Sequence, residues 1–136
     1  MLSSLSDSVL DALIREAFDS RRNAYAPYSR FPVGAALLAE SGKMYTGCNV
    51  ENASYGLTIC AERSAVFKAV SEGEKYFTAI AIVADSEKPI VPCGACLQVL
   101  VEFQSDMMVI VSNARFDKKL MHLKELLPEI FRGQPE

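Results

Sequence analysis

Glycine and proline are scarce, seven and six in 136 residues, which excludes a collagen-like or low-complexity chain. A basic surplus is also missing. Fourteen Lys and Arg against seventeen Asp and Glu leave a formal net charge of −3, and the cations are scattered from Arg15 to Arg132. Nucleic-acid binding driven by counterion release is therefore not expected. No apolar run nears the roughly 20 residues that span a bilayer; the longest, 33–39 and 79–84, fall far short. The opening stretch, Met1 to Leu13, has no basic flank and is interrupted by Asp7 and Asp11, unlike a secretory signal. These absences predict a cytoplasmic protein with neither a membrane nor a nucleic-acid partner.

What is present is ordinary globular composition, half hydrophobic and 23% charged, at a length that suits one domain, residues 1–136. Four cysteines in a reducing compartment favour metal binding or catalysis over disulfides.

The chain alternates in pattern. Leu10, Leu13, Ile14, Ala17 and Phe18 lie on one helical face, with Ser6 or Ser8 as a cap, and this helix should end near Asn23. Residues 33–39 and 44–48 read as a β-hairpin turned at Glu40-Ser41-Gly42-Lys43. Thr58 is a candidate cap for a second helix through Ala61, Ala65, Val66, Ala69 and Val70, stopped at Gly73. Residues 78–84 and 107–111 read as buried strands, with a third helix between them carrying Pro92 in its first turn and Val99 and Leu100 inward. A last amphipathic segment, 120–127, is closed by Pro128. This order predicts a three-layer α/β fold whose helix N-termini gather at one sheet edge, where sites form.

Cys60 and Cys93 are expected in the first turns of those two helices, and Cys96 three residues on lies on the same face as Cys93. Three thiolates then converge, each favoured in its ionised form by a helix N-terminus, and a zinc ion completes the arrangement. Three protein ligands leave a fourth position open, which is the pattern of a catalytic rather than a structural zinc. Glu62, two residues from Cys60, is placed to carry protons. Cys48, at the end of the hairpin, reads as a small buried thiol. If all four cysteines bound zinc, the site would be closed and structural, and such a site has no use for Glu62. His122, the sole histidine, is far downstream and has no expected chemistry.

These residues resemble the zinc-dependent nucleoside deaminases, and specifically the small homotetrameric cytidine deaminases. The matching segments are Tyr25-Ala26-Pro27-Tyr28-Ser29, Phe31 to Leu38, Gly47-Cys48-Asn49-Val50-Glu51-Asn52, Cys60-Ala61-Glu62-Arg63, Pro92-Cys93-Gly94-Ala95-Cys96, and Glu125-Leu126-Leu127-Pro128 before Phe131. The resemblance implies a three-layer α/β/α sandwich around a mixed sheet of about five strands, one Zn2+ per subunit, and a homotetramer. It implies hydrolysis of cytidine and 2′-deoxycytidine to the uridine products and ammonia, in pyrimidine salvage, with Glu62 serving in turn as base and acid. By the same resemblance, Asn49 and Glu51 hold the ribose 3′-hydroxyl and Phe31 stacks on the pyrimidine. The Ala61 backbone reads the base edge, Tyr55 lines the site, and Phe131 reaches a neighbouring subunit's pocket. Arg63 hydrogen-bonds the ligand sulfurs, offsetting the −1 charge of three thiolates around a divalent ion. The chain departs from the family pattern at Leu97, where a basic residue is usual. An alternative within the same chemistry is deamination of a modified cytosine nucleoside such as blasticidin S.

Overall fold

The computed structural model describes residues 5–133. The ends of the expected 1–136 domain, and the first four residues of the stretch read as unlike a signal, lie outside them. Among the described residues no helix is long and apolar enough to cross a membrane.

Helix α1 (Asp7–Ser20) begins where Ser6 accepts a hydrogen bond from the Val9 N–H, satisfying one of the amides that a helix start leaves open. A 3-10 turn carries the chain on to Asn23. Strands β1 (Val33–Ala39) and β2 (Met44–Cys48) form the predicted hairpin, with Gly42 at φ 95° in the turn. Helix α2 (Ala61–Ser71) is followed by β3 (Phe77–Ala84), α3 (Gly94–Phe103), β4 (Met108–Asn113), β5 (Lys118–His122) and the single turn α4 (Leu123–Leu126).

The five strands make one sheet in the order β2-β1-β3-β4-β5. It is mixed: β3 and β4 run parallel across the α3 crossover, and the other pairs are antiparallel. The alternation of side chains splits the core between two faces. Ala36, Leu38, Ala79, Ala81 and Val83 point towards Leu10, Leu13, Ile14 and Ala17 of α1. Ala35, Leu37, Ile80 and Ile82 point the other way, into a core shared with Ala61, Ala65, Val66 and Ala69 of α2 and Leu97, Leu100 and Val101 of α3. Helices thus cover both faces, giving the α/β/α sandwich. Because β1 and β3 are buried on both sides, they read in sequence as unbroken apolar runs.

Three local expectations are corrected. Thr58 does not cap α2; Cys60 is the cap residue, and Thr58 closes the preceding 3-10 turn while its hydroxyl accepts from the Asn52 N–H. Nor is Pro92 in the first turn of α3, which starts at Gly94 with Cys93 as its cap. Cys60 and Cys93 therefore stand just before their helices with extended backbone, rather than in the first turns, while Cys96 lies in the first turn of α3. The segment 120–127 divides into the end of β5 and α4, because pairing with β4 captures Leu120 and Met121 as strand residues.

Sheet register then brings the site together. Val33 pairs with Ala84 and Gly34 with Cys48, so the start of β1 and the ends of β2 and β3 share one edge. Phe31 precedes β1, Asn49 and Glu51 follow β2, and the segment leading to Cys93 follows β3.

Candidate active site

Cys60 Sγ lies 3.8 Å from Cys93 Sγ, which lies 3.5 Å from Cys96 Sγ. All three sulfurs fall within 4.8 Å of one another. Tetrahedral zinc with Zn–S bonds of about 2.3 Å requires sulfurs about 3.8 Å apart, and the Cys60–Cys93 and Cys93–Cys96 separations are close to that spacing. Thiolate ligands also suit its soft character. Cys48, half-buried at the end of β2, is not part of the cluster.

The electrostatics of the chain alone follow from crowding three thiols at two helix starts. The Cys60 thiol is held well below the ordinary range, first by the hydrogen bond from Cys96 and then by Arg63, whose Nη2 donates to Cys60 Sγ at 3.4 Å. Cys96 is pushed up in turn, since it keeps its own proton as donor to the Cys60 thiolate, and burial adds to the rise. Arg63 thus contacts one of the three sulfurs, and its Nε is buried without a hydrogen-bond partner.

Glu62 is only 5% exposed. Burial, assisted by the nearby Cys60 charge, raises its pKa to about 7, against the opposing pull of its own backbone N–H and of the Arg63 charge. A cavity of about 220 Å³ connects these groups to the sugar and base candidates: Phe31, Asn49, Cys60, Ala61, Glu62 and Cys93 all line it. Glu51 and Tyr55 line a second, more open space of about 390 Å³, and Thr58 borders both.

Asn49 and Glu51 are buried and committed to the chain on most sides. Asn49 Oδ1 accepts from the Val33 N–H at 2.9 Å and its Nδ2 donates to the Phe31 carbonyl at 3.0 Å. Glu51 Oε1 accepts from the N–H groups of Tyr28 and Ser29, and Oε2 accepts from the Ser29 hydroxyl. These bonds hold the Glu51 pKa below its usual value, the Ser29 hydroxyl foremost.

Phe131 is not brought into this cavity; it is 72% exposed, with its carbonyl accepting from Gln98. Leu97 is buried in the core beneath α3 and does not face the cavity, so an apolar residue there is accommodated by packing. His122 lies elsewhere, hydrogen-bonded to Asp106. Ile59, Ile90 and Val91 also line the cavity and were not foreseen; they come from irregular segments whose apolar side chains carry no distinguishing spacing.

The description "Cytidine and deoxycytidylate deaminase zinc-binding region" matches residues 7–112, most of the chain. The chain belongs to that family. It is 52% identical over 123 residues to a cytidine deaminase of Sporosarcina psychrophila, covering 90% of each chain. It is also 52% identical to one of Halalkalibacterium halodurans, covering 90% of this chain and 93% of that one. The crystal structure of cytidine deaminase from Burkholderia pseudomallei superposes with a TM-score of 0.87 at 46% identity, over 93% of this chain and all of that one. Membership makes the protein a zinc-binding deaminase and therefore a hydrolase, with Cys60, Cys93 and Cys96 positioned for the metal.

Proposed function

We propose that the protein hydrolyses the exocyclic amine of cytidine and 2′-deoxycytidine, releasing ammonia and the uridine products in pyrimidine salvage. One observation carries this reading: a buried carboxylate, Glu62, shares a nucleoside-sized cavity with Cys60 and Cys93 of the metal-binding trio. Cys60, Cys93 and Cys96 would hold the zinc, which when bound would supply the Lewis acidity that activates a water near neutral pH. Glu62 takes the attacking water's first proton and delivers it to N3, then carries the second from the new C4 hydroxyl to the departing amine, so one carboxyl serves both halves of the reaction. Its burial excludes bulk water that would otherwise level its basicity.

Phe31 stacks on the pyrimidine, the Ala61 backbone reads the base edge and Tyr55 closes the sugar side. Asn49 and Glu51 take the ribose. After their internal bonds, Asn49 keeps one free N–H and Glu51 one free acceptor position on Oε2. That remaining capacity suits a single hydroxyl, which both accepts and donates. Ribose and 2′-deoxyribose then satisfy the site equally through the 3′-hydroxyl. The relatives reported above are named cytidine deaminases, and the modified-nucleoside alternative finds no support among them.

The single domain is read as one quarter of a homotetramer, with Phe131 reaching a neighbouring pocket; its exposure on this chain supports that reading. A cytoplasmic home suits four unpaired cysteines, three of which must stay thiolates.

The test follows cytidine loss by absorbance, with zinc content measured alongside. Glu62→Gln should retain zinc and lose about 10²- to 10⁴-fold in kcat, while chelator-treated wild type should lose activity and regain it with added zinc. Full activity in either case overturns the proposal.

A further inference from the structure

The loop before β1 contains a connection that the reaction itself does not require. Ser29 Oγ donates its only proton to Glu51 Oε2 and itself accepts from the Phe31 N–H at 3.1 Å. One atom therefore bridges the carboxylate read as the sugar contact and the backbone of the residue read as the base contact.

Between them Arg30 stands at φ 56°, a left-handed conformation costing a non-glycine residue about 1 kcal/mol. The loop persists in this form because it is pinned on both sides. Glu51 Oε1 holds the Tyr28 and Ser29 N–H groups, Ala26 accepts from the Arg30 N–H at 2.9 Å, and Asn49 Nδ2 holds the Phe31 carbonyl. Without the Ser29 hydroxyl, Oε2 loses its internal donor and is free to turn, and Phe31 loses the anchor of its N–H.

We propose that Ser29 is a positioning residue: it aims Glu51 Oε2 at the sugar hydroxyl and ties that aim to the placement of Phe31. This inference rests on the assignment of Glu51 to the ribose 3′-hydroxyl. The lowered pKa of Glu51 agrees with it, since the carboxylate stays ionised and acts only as an acceptor.

Steady-state kinetics on the zinc-loaded enzyme, with cytidine and 3′-deoxycytidine as paired substrates, test it. Wild type should prefer cytidine. Ser29→Ala should lower the cytidine to 3′-deoxycytidine ratio of kcat/KM about tenfold, the effect of one misaligned hydrogen bond to a charged group, through KM for cytidine with kcat nearly unchanged. Ser29→Cys keeps the shape with a weak donor and should show the same loss, so it serves if the alanine variant does not fold. Ser29→Thr restores the hydroxyl and should keep the wild-type ratio. A ratio unchanged in Ser29→Ala or Ser29→Cys, with both substrates falling together, makes Ser29 a loop scaffold only and overturns the inference. Loss of the ratio in Ser29→Thr overturns it as well. A wild type indifferent to the 3′-hydroxyl instead refutes the ribose assignment of Glu51, and the inference falls with it.

Discussion

A methyl group placed at Gly47 should weaken zinc binding from the far side of a helix. Gly47 in β2 faces the first turns of α2, where a Cβ would stand 2.5 Å from the Ala65 nitrogen, 2.6 Å from the Ala61 oxygen and 2.8 Å from Ser64 Cβ. Two of these are backbone atoms, which no rotamer change can move. Ordinary contact begins at 3.4 Å, so Gly47→Ala requires the start of α2 to retreat by roughly 1 Å, at a cost of about 1–3 kcal/mol in overpacking. That turn follows Cys60 directly and carries Glu62 and Arg63. The same displacement separates Cys60 from Cys93 and Cys96, and a misplacement of about 1 Å at a reacting centre is worth on the order of 10²-fold in rate. Gly34→Ala is the control. Its Cβ would stand 1.9 Å from the Ala17 oxygen in α1, on the opposite face of the sheet, where no zinc ligand is carried. Both variants should lose stability in urea unfolding followed by far-ultraviolet circular dichroism, but only Gly47→Ala should lose zinc to a competing chelator at matched folded fraction. Equal zinc retention in the two variants would show that the Gly47 contact does not set the position of the ligands.

Three further outcomes are expected. Arg63→Ala should hold zinc less tightly or turn over more slowly, because the 3.4 Å contact to Cys60 Sγ offsets thiolate charge; unchanged zinc content and rate would exclude that role. Cys48→Ser should retain full zinc and full activity, read by metal analysis and cytidine loss, since Cys48 stands apart from the sulfur cluster. Glu51→Gln should be less stable than wild type at neutral pH, with a gap that closes on acidification. The folded Glu51 pKa is depressed, so its stabilisation is present above the unfolded value near 4.5 and is lost as pH falls through the lower folded value. A stability difference independent of pH between neutrality and pH 3 would contradict this.

The metal site was legible in sequence to the extent that its parts are local. Cys93 and Cys96 are three apart at a helix start, and Cys60-Ala61-Glu62 fixes an acid beside a ligand, so their relative placement follows from helical geometry wherever the helix sits. The hairpin was equally plain, because apolar runs flanking a glycine turn admit few other structures. The exact helix starts were not, since Thr58 and Pro92 satisfy the statistics of a helix entrance while the Cys60 and Cys93 caps are set by where each chain leaves the sheet edge. β5 was hidden for a related reason: Lys118–His122 is exposed at its start, and it is a strand because β4 offers an unpaired edge. Sequence by itself determined which side chains could bind zinc and move protons, for those are properties of residue type and short spacing. Only the tertiary structure decided that Cys60 meets Cys93 across 33 residues and that Glu62 is buried beside them. Both outcomes depend on sheet register, which brings the start of β1 and the ends of β2 and β3 to a single edge.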